Sequence, residues 1–199
     1  RMADEAVAAF GTIDGIVCGA IKLQPAKLEE LTEEAWDMVI DVGLKGYFLC
    51  AQAAGRVMLE KGKGSIVFLS SVCGVQAYNG AGAYSIAKAG NVMLGNLFGV
   101  EWGGRGVRAN TVLPGQVPTP MTAAMFDDPD IAAGRAAVVP MGRVGKPEEM
   151  AEACVFLLSD RASYVNAAML KVDGGQVESK MMHTPGRNWG GKKMEYSAG

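Results

Sequence analysis

GSIVFLSSVCGVQAYNGAGAYSIAK, residues 64–88, is the stretch from which the rest of the chain can be read. Its opening, SIVFLSS (65–71), is an unbroken apolar run with β-branched residues that ends on two serines, the pattern of a strand buried on both faces. A glycine-containing loop spans 74–82, and a helix is predicted over 83–102, stopped by Gly103, Gly104 and Gly106. Tyr84 and Lys88 stand four residues apart at the start of that helix, so their side chains share one face a turn apart. Ser71 closes the strand, and the loop can return its hydroxyl to the same place.

The strand–helix pattern repeats in both directions. Upstream, ADEAVAAF (3–10) reads as the end of an amphipathic helix and IDGIVC (13–18) as a buried strand. Thr32 is suited to cap a helix whose first turn carries Glu33 and Glu34; Trp36, Val39, Ile40, Leu44, Phe48 and Ala51 then recur at helical spacing until about Glu60. Downstream, VRANTVL (107–113) is a strand broken by Pro114-Gly115, a short helix falls near 121–137, and Pro147 opens a helix to about Leu158. AMLKVD (168–173) is a fourth strand, ended by Gly174-Gly175. Apolar strands alternating with helices predict an α/β domain with a parallel sheet, which binds ligands beyond the carboxyl ends of its strands. Those ends are Cys18-Gly19-Ala20, Ser70-Ser71, Pro114-Gly115 and Asp173-Gly174-Gly175.

Composition removes several alternatives. A chain of 199 residues, 49% apolar and 20% charged, holds one folded domain with a substantial core. Its net charge of −2 offers no basic excess for nucleic acid, and no apolar run reaches the ~18 residues of a membrane span. Cys18, Cys50, Cys73 and Cys154 are widely spaced in apolar stretches, so buried free thiols in a reducing, cytoplasmic setting are expected, with no secretory leader. The one histidine, His183, lies in a polar tail, so neither a metal site nor a Ser-His-Asp hydrolase is expected.

A phenol, an ammonium and a hydroxyl converging at a strand end suit carbonyl chemistry. A free phenol titrates near ~10, and a neighbouring ammonium favours the phenolate that can trade a proton with an alcohol or ketone oxygen. The Tyr-Lys spacing alone is weak, since an exposed helical pair would be an ordinary surface feature. Its position between a strand ending in Ser-Ser and one ending in Pro-Gly strengthens it.

With FGTIDGIV (10–17), GSIVFLSSVCG (64–74), YSIAK (84–88), VRANTVLPGQVPT (107–119), GRVGKPEEMA (142–151), FLLSD (156–160) and VDGG (172–175) in this order, the chain resembles the short-chain dehydrogenase/reductase family. The resemblance implies a Rossmann-like, doubly wound parallel sheet and an NAD- or NADP-dependent interconversion of a secondary alcohol and a ketone. Tyr84 would be the general acid/base, Lys88 would lower its pKa and bond the nicotinamide ribose, and Ser71 would hold the substrate oxygen. Pro114 and Gly115 would face the nicotinamide, the Val117 backbone its carboxamide, and Thr119 the carboxamide or pyrophosphate. Cys18, Gly19 and Ala20 would pass the adenosine ribose. Gln76, Tyr78 and Gln116 would read substrate hydroxyls. Met121, Met125 and Phe126 suit either an apolar lid or a helix face on the core. Asn110 and Asp173 are read as structural. Small-molecule substrate and a second copy of the chain are the expected partners, the long helices pairing in a dimer or tetramer and the tail 176–199, with Trp189 and Tyr196, reaching a neighbour.

The chain departs from the family pattern in three places. The family's first βαβαβ segment, with its Gly-rich phosphate turn, has no counterpart, so residues 1–175 would be the C-terminal part of a Rossmann-like domain and the chain part of a longer protein. In WDMVIDVGLKG (36–46) Gly43 stands where the family has Asn, and Cys18-Gly19-Ala20-Ile21 stands for Asn-Asn-Ala-Gly. Restoring Asn at 43 is expected to raise turnover or leave it unchanged. These departures keep two other readings open: a catalytically silent relative acting as a scaffold, and an epimerase or dehydratase on the same framework.

Overall fold

The structure, a computed structural model, describes residues 1–179. Four strands, β1 (Gly15–Cys18), β2 (Gly64–Leu69), β3 (Val107–Pro114) and β4 (Met169–Val172), form one sheet in the order β1-β2-β3-β4. All three pairings are parallel, with Ile16 opposite Ile66, Val67 opposite Asn110 and Val112 opposite Leu170. Parallel neighbours need crossovers, and helices supply them. The order of strands and helices follows the sequence reading, and apart from the segments named below the boundaries agree to within two residues.

Both faces of the sheet are covered, which is why β2 and β3 are apolar without alternation. On one face Ile66, Phe68, Val107 and Ala109 pack with Tyr47, Ala51, Ala54, Met58 and Phe98. Those partners come from α3 (Gly46–Lys61) and α4 (Tyr84–Trp102). On the other face Val67 and Val112 pack with Cys154, Leu157 and Ala162, two of them from α6 (Pro147–Leu158). The helices α1 (Met2–Phe10), α2 (Glu33–Ile40) and α5 (Pro129–Ala137) complete the set. Thr32 caps α2, its hydroxyl accepting from the Ala35 amide at 3.2 Å. This doubly wound α/β arrangement puts every strand's carboxyl end on one edge.

Three details differ from expectation. The long helix predicted from 33 to 60 is interrupted by a π-helical turn at Asp41–Lys45, with Gly43 buried at its centre. Cys18 and Cys154 are buried as expected, but Cys50, which packs against the edge of the core, and Cys73 are only partly buried. The segment near 121–137 is a single 3-10 turn, Ala123–Met125, followed by α5 rather than one helix, since Asp128 caps and Pro129 opens a new start. No helix among the described residues is long and apolar enough to cross a membrane, and none of their His, Cys, Asp and Glu side chains form a group that could hold a metal ion. His183, Trp189 and Tyr196 lie outside the described residues.

Candidate active site

The end of β2 and the start of α4 are bolted together. Ser70, buried, donates its hydroxyl to the Lys88 carbonyl at 2.7 Å, which fixes the first turn of α4 over the strand end. Gly74 lets the two approach, since a Cβ there would sit 2.8 Å from that same carbonyl. The loop between them is pinned to residues 24–31: Gly82 donates to the Ala26 carbonyl at 3.1 Å, with a φ of +57° that disfavours any side chain. Ser71 then begins a 3-10 turn in extended conformation, its Oγ accepting the Cys73 amide at 3.1 Å. Through these contacts Ser71, Tyr84 and Lys88 meet at one site.

Lys88 is buried, and no carboxylate is paired with it among the described residues. Its Nζ donates to the Leu69 carbonyl at 2.8 Å and to the Tyr47 hydroxyl at 3.3 Å. It also lies 5.3 Å from the centre of the Tyr47 ring and 5.6 Å from that of Tyr84, a cation between two phenols. Burial lowers the ammonium to about 8. Burial also pushes the Tyr84 phenol up, with the Ser71 hydroxyl acting in the opposite sense. This is the reverse of the direction expected from the ammonium: Lys88 spends its bonds on Leu69 and Tyr47, so desolvation decides. Burial pushes the Tyr47 phenol up as well, and its hydroxyl donates to the Leu69 carbonyl at 3.2 Å.

The other proposed cofactor residues line the same edge. Pro114 ends β3, and Gly115 donates to the Val172 carbonyl at 3.1 Å. Val117 and Thr119 belong to a turn closed on Thr122, whose hydroxyl donates to the Val117 carbonyl and accepts the Thr119 amide at 2.9 Å. Cys18 is buried with its thiol pushed up to about 12 by burial, while Gly19 and Ala20 are exposed just beyond β1. Asn110 bridges the Val165 carbonyl and the Ala168 amide, and Asp173 accepts the Gly175 and Val177 amides.

A cleft of about 220 Å³ opens over Ser71 and Tyr84, with Gln76, Tyr78, Gln116, Met121, Met125 and Arg135 among its walls. Met121 and Met125 are exposed on the cleft rather than packed in the core. Gln76 donates from Nε2 to the Val177 carbonyl at 3.1 Å. Gln116 accepts from Arg135 Nη1 at 2.7 Å. A larger hollow, about 290 Å³, lies beyond Gln116 against Arg143, Glu149 and Lys171, and none of Ser71, Tyr84 and Lys88 lines it.

Two residues of this site escaped the sequence reading. Tyr47 carried a faint signal, a polar-tipped aromatic on the inward stripe of a helix, one turn after Gly43. Arg135 has no acidic residue three or four positions away, so nothing on its own helix pairs with it.

The buried Lys88 ammonium has only neutral acceptors among the described residues, and Ser71 and Tyr84 beside it line a cleft open to a small molecule. A family model described as Enoyl-(Acyl carrier protein) reductase matches residues 1–176. Among curated proteins, the cis-4-hydroxycyclohexanecarboxylate dehydrogenase of Sinomonas cyclohexanicum is 43% identical over 173 residues, 86% of this chain and 69% of that protein. The D-threitol dehydrogenase of Mycolicibacterium smegmatis is 42% identical over 175 residues, 87% of this chain and 66% of that protein. Among solved structures, a gluconate 5-dehydrogenase from Burkholderia cenocepacia in complex with NADP and tartrate superposes with a TM-score of 0.84 at 32% identity, over 88% of this chain and 69% of that one. The chain belongs to the short-chain dehydrogenase/reductase family, a family of NAD(P)-dependent oxidoreductases, and spans about two thirds of the length of these relatives.

Proposed function

We propose that the protein interconverts a secondary alcohol and a ketone with NAD or NADP, using Tyr84 as the general acid/base. The observation that carries this reading is the buried Lys88 ammonium between the Tyr84 and Tyr47 rings, at the end of the strand that delivers Ser71. Lys88, with Pro114, Gly115, Val117 and Thr119 around the strand ends, would hold the nicotinamide half of the cofactor, and Cys18, Gly19 and Ala20 would pass its adenosine side. When bound, the cofactor would supply the hydride acceptor for the carbinol carbon, or the hydride donor for the carbonyl carbon in the reverse direction.

The chain's own groups manage the oxygen. Ser71 donates a hydrogen bond that fixes the carbinol oxygen against Tyr84. In oxidation the Tyr84 phenolate takes the hydroxyl proton as the C–O bond becomes a carbonyl; in reduction the phenol returns it. The Lys88 ammonium stabilises that phenolate, and its effect is largest when the site is closed to water. Because burial alone raises the phenol, the working phenolate depends on that positive charge. Removing the phenol in Tyr84→Phe is expected to cut turnover of a secondary alcohol by about 10²–10⁴-fold while cofactor affinity stays within a fewfold. Steady-state rates with NAD and NADP, alongside cofactor titration, check both halves. Unchanged turnover would instead support a scaffold, and turnover without net change in the cofactor would support an epimerase or dehydratase.

The reading includes self-association. Phe48 and Leu49 on α3, and Ile86, Met93, Leu97 and Val100 on α4, are exposed apolar side chains on the helices expected to meet a second copy.

A further inference from the structure

Arg135 is out of place in a cleft that otherwise needs no charge. It is partly buried, and among the described residues lining the cleft it is the one charged side chain, with no Asp or Glu beside it. Its guanidinium is held on two sides. Nη1 donates to Gln116 Oε1 at 2.7 Å, and the plane lies 5.5 Å from the centre of the Phe126 ring. The remaining edge, formed by Nε and Nη2, is poorly used. Nε is buried with no acceptor, and Nη2 meets only the Met125 sulfur, at 3.2 Å. A thioether is a weak acceptor, and a buried N–H without a partner carries a desolvation cost. Asp128, the residue that caps α5, is occupied by the Asp130 and Ile131 amides.

The Nε–Nη2 edge is the geometry on which a carboxylate binds side-on with two parallel hydrogen bonds. Gln116 orients the fork from behind and cannot neutralise it. Met125, on a turn exposed at the cleft, can move aside for a better acceptor. The cleft, at about 220 Å³, is below the usual ~300–1,000 Å³ of drug-sized sites, so its occupant is small.

We infer that Arg135 is a substrate-binding residue, and that the cleft takes a small hydroxy acid or keto acid whose carboxylate pairs with the Nε–Nη2 edge while its carbinol or carbonyl oxygen lies at Ser71 and Tyr84. The oxygen end of this assignment rests on the oxidoreductase reading above; the carboxylate end rests on Arg135 alone. Neutral polyols and sterols of similar reach would leave the guanidinium unpaired and are disfavoured.

The test compares an isosteric pair that cannot react, cyclohexanecarboxylate and cyclohexanecarboxamide, by calorimetric titration of the full-length protein with NADP or NAD in excess and with neither. The acid is expected to bind about ten- to a hundredfold tighter than the amide. Arg135→Met should reduce that ratio to within about twofold, and Arg135→Lys should keep part of it, since the charge remains and the fork is lost. Equal or undetectable binding of the pair to the unsubstituted protein overturns the inference, as does a preference that survives in a folded Arg135→Met. A second arm follows oxidation of 4-hydroxycyclohexanecarboxylate and of cyclohexanol. Turnover of both with no preference for the acid leaves the oxidoreductase reading standing and removes the role of Arg135. Preferential binding of the acid with no turnover of either removes the oxidoreductase reading and keeps the anion site.

Discussion

A Cβ built on Gly43 would overlap Ile21 Cδ1 and touch the Ala87 Cβ at 3.6 Å. Ile21 packs here with Val39, Ala83 and Ala87, directly beneath the turn of α4 that carries Tyr84 and Lys88. Ile21 thus occupies the space that a side chain at 43 would need. The contact leaves the expected rise or constancy of turnover in Gly43→Asn in place and adds a cost in stability. That substitution alone is expected to cost about 1–3 kcal/mol by overpacking, while Ile21→Gly combined with Gly43→Asn recovers most of the loss. Denaturant unfolding of the two single variants and the double closes the cycle, and additive effects would contradict it. Lys88 gives a second prediction. Its value in the fold, about 8, lies below the ~10.4 of an unfolded lysine. Between those values the unfolded chain binds the extra proton, so this site's contribution to stability rises with pH through the window and is a constant cost below it. In Lys88→Met the dependence is absent. The unfolding free energy of the unsubstituted protein relative to this variant should thus rise by about 1–3 kcal/mol between pH 7.5 and 10. A difference that is flat with pH would mean the amine is not desolvated.

The elements differ in how plainly their sequences declare them. Strands β2 and β3 are unbroken apolar runs because both faces are covered, and Pro147 with Glu148 and Glu149 marks the start of α6 within a residue. The π turn at Asp41–Lys45 left no such mark. At its centre Asn91, from α4, donates to the Gly43 carbonyl at 2.9 Å, a partner 48 positions away. Arg135 was illegible for the same reason: Gln116, Met125 and Phe126 make its surroundings, and local pattern does not bring them together. Ser71, Tyr84 and Lys88 could be found because they lie within eighteen positions on one strand–loop–helix unit. Long-range side-chain bonds of this type also finish elements. Arg108 on β3 donates from Nη1 to the Leu157 carbonyl at 2.8 Å and from Nη2 to the Ser159 carbonyl at 3.0 Å, closing the carboxyl end of α6. Arg108→Met keeps the aliphatic stem and removes these charged donors, while the Ser159 carbonyl retains the Ala162 amide at 3.1 Å and the Leu157 carbonyl the Ser65 hydroxyl at 2.9 Å. The expected cost is about 1–3 kcal/mol in denaturant unfolding with the turnover of the folded variant unchanged, because α6 packs on the face opposite α4.

At the scale of the molecule, burial on the α3/α4 side is incomplete. Along α4, Ile86, Met93, Leu97 and Val100 are 45%, 56%, 49% and 76% exposed. Their spacing of seven, four and three residues puts them in one narrow stripe on the helix, the pattern of a surface that packs on a partner helix. The inward stripe of the same helix is already served: Ala87, Asn91, Gly95 and Phe98 face the sheet and α3. A helix apolar on two sides packs on two sides, and the first side accounts for the fold. Exposed apolar surface of this kind is the pattern expected of a contact between molecules. Because the stripe runs along a single helix, a two-fold axis crossing it would bring each α4 against its copy, and the contact would be self-complementary. Replacing Leu97 and Val100 together by Glu sets four like charges into such a contact while touching no inward residue. Light scattering is expected to show the mass of the unsubstituted protein at two or four times that of one chain, and the double variant at that of one chain with its unfolding midpoint nearly unchanged. Equal masses for the two proteins would place the contact elsewhere and leave the stripe unexplained.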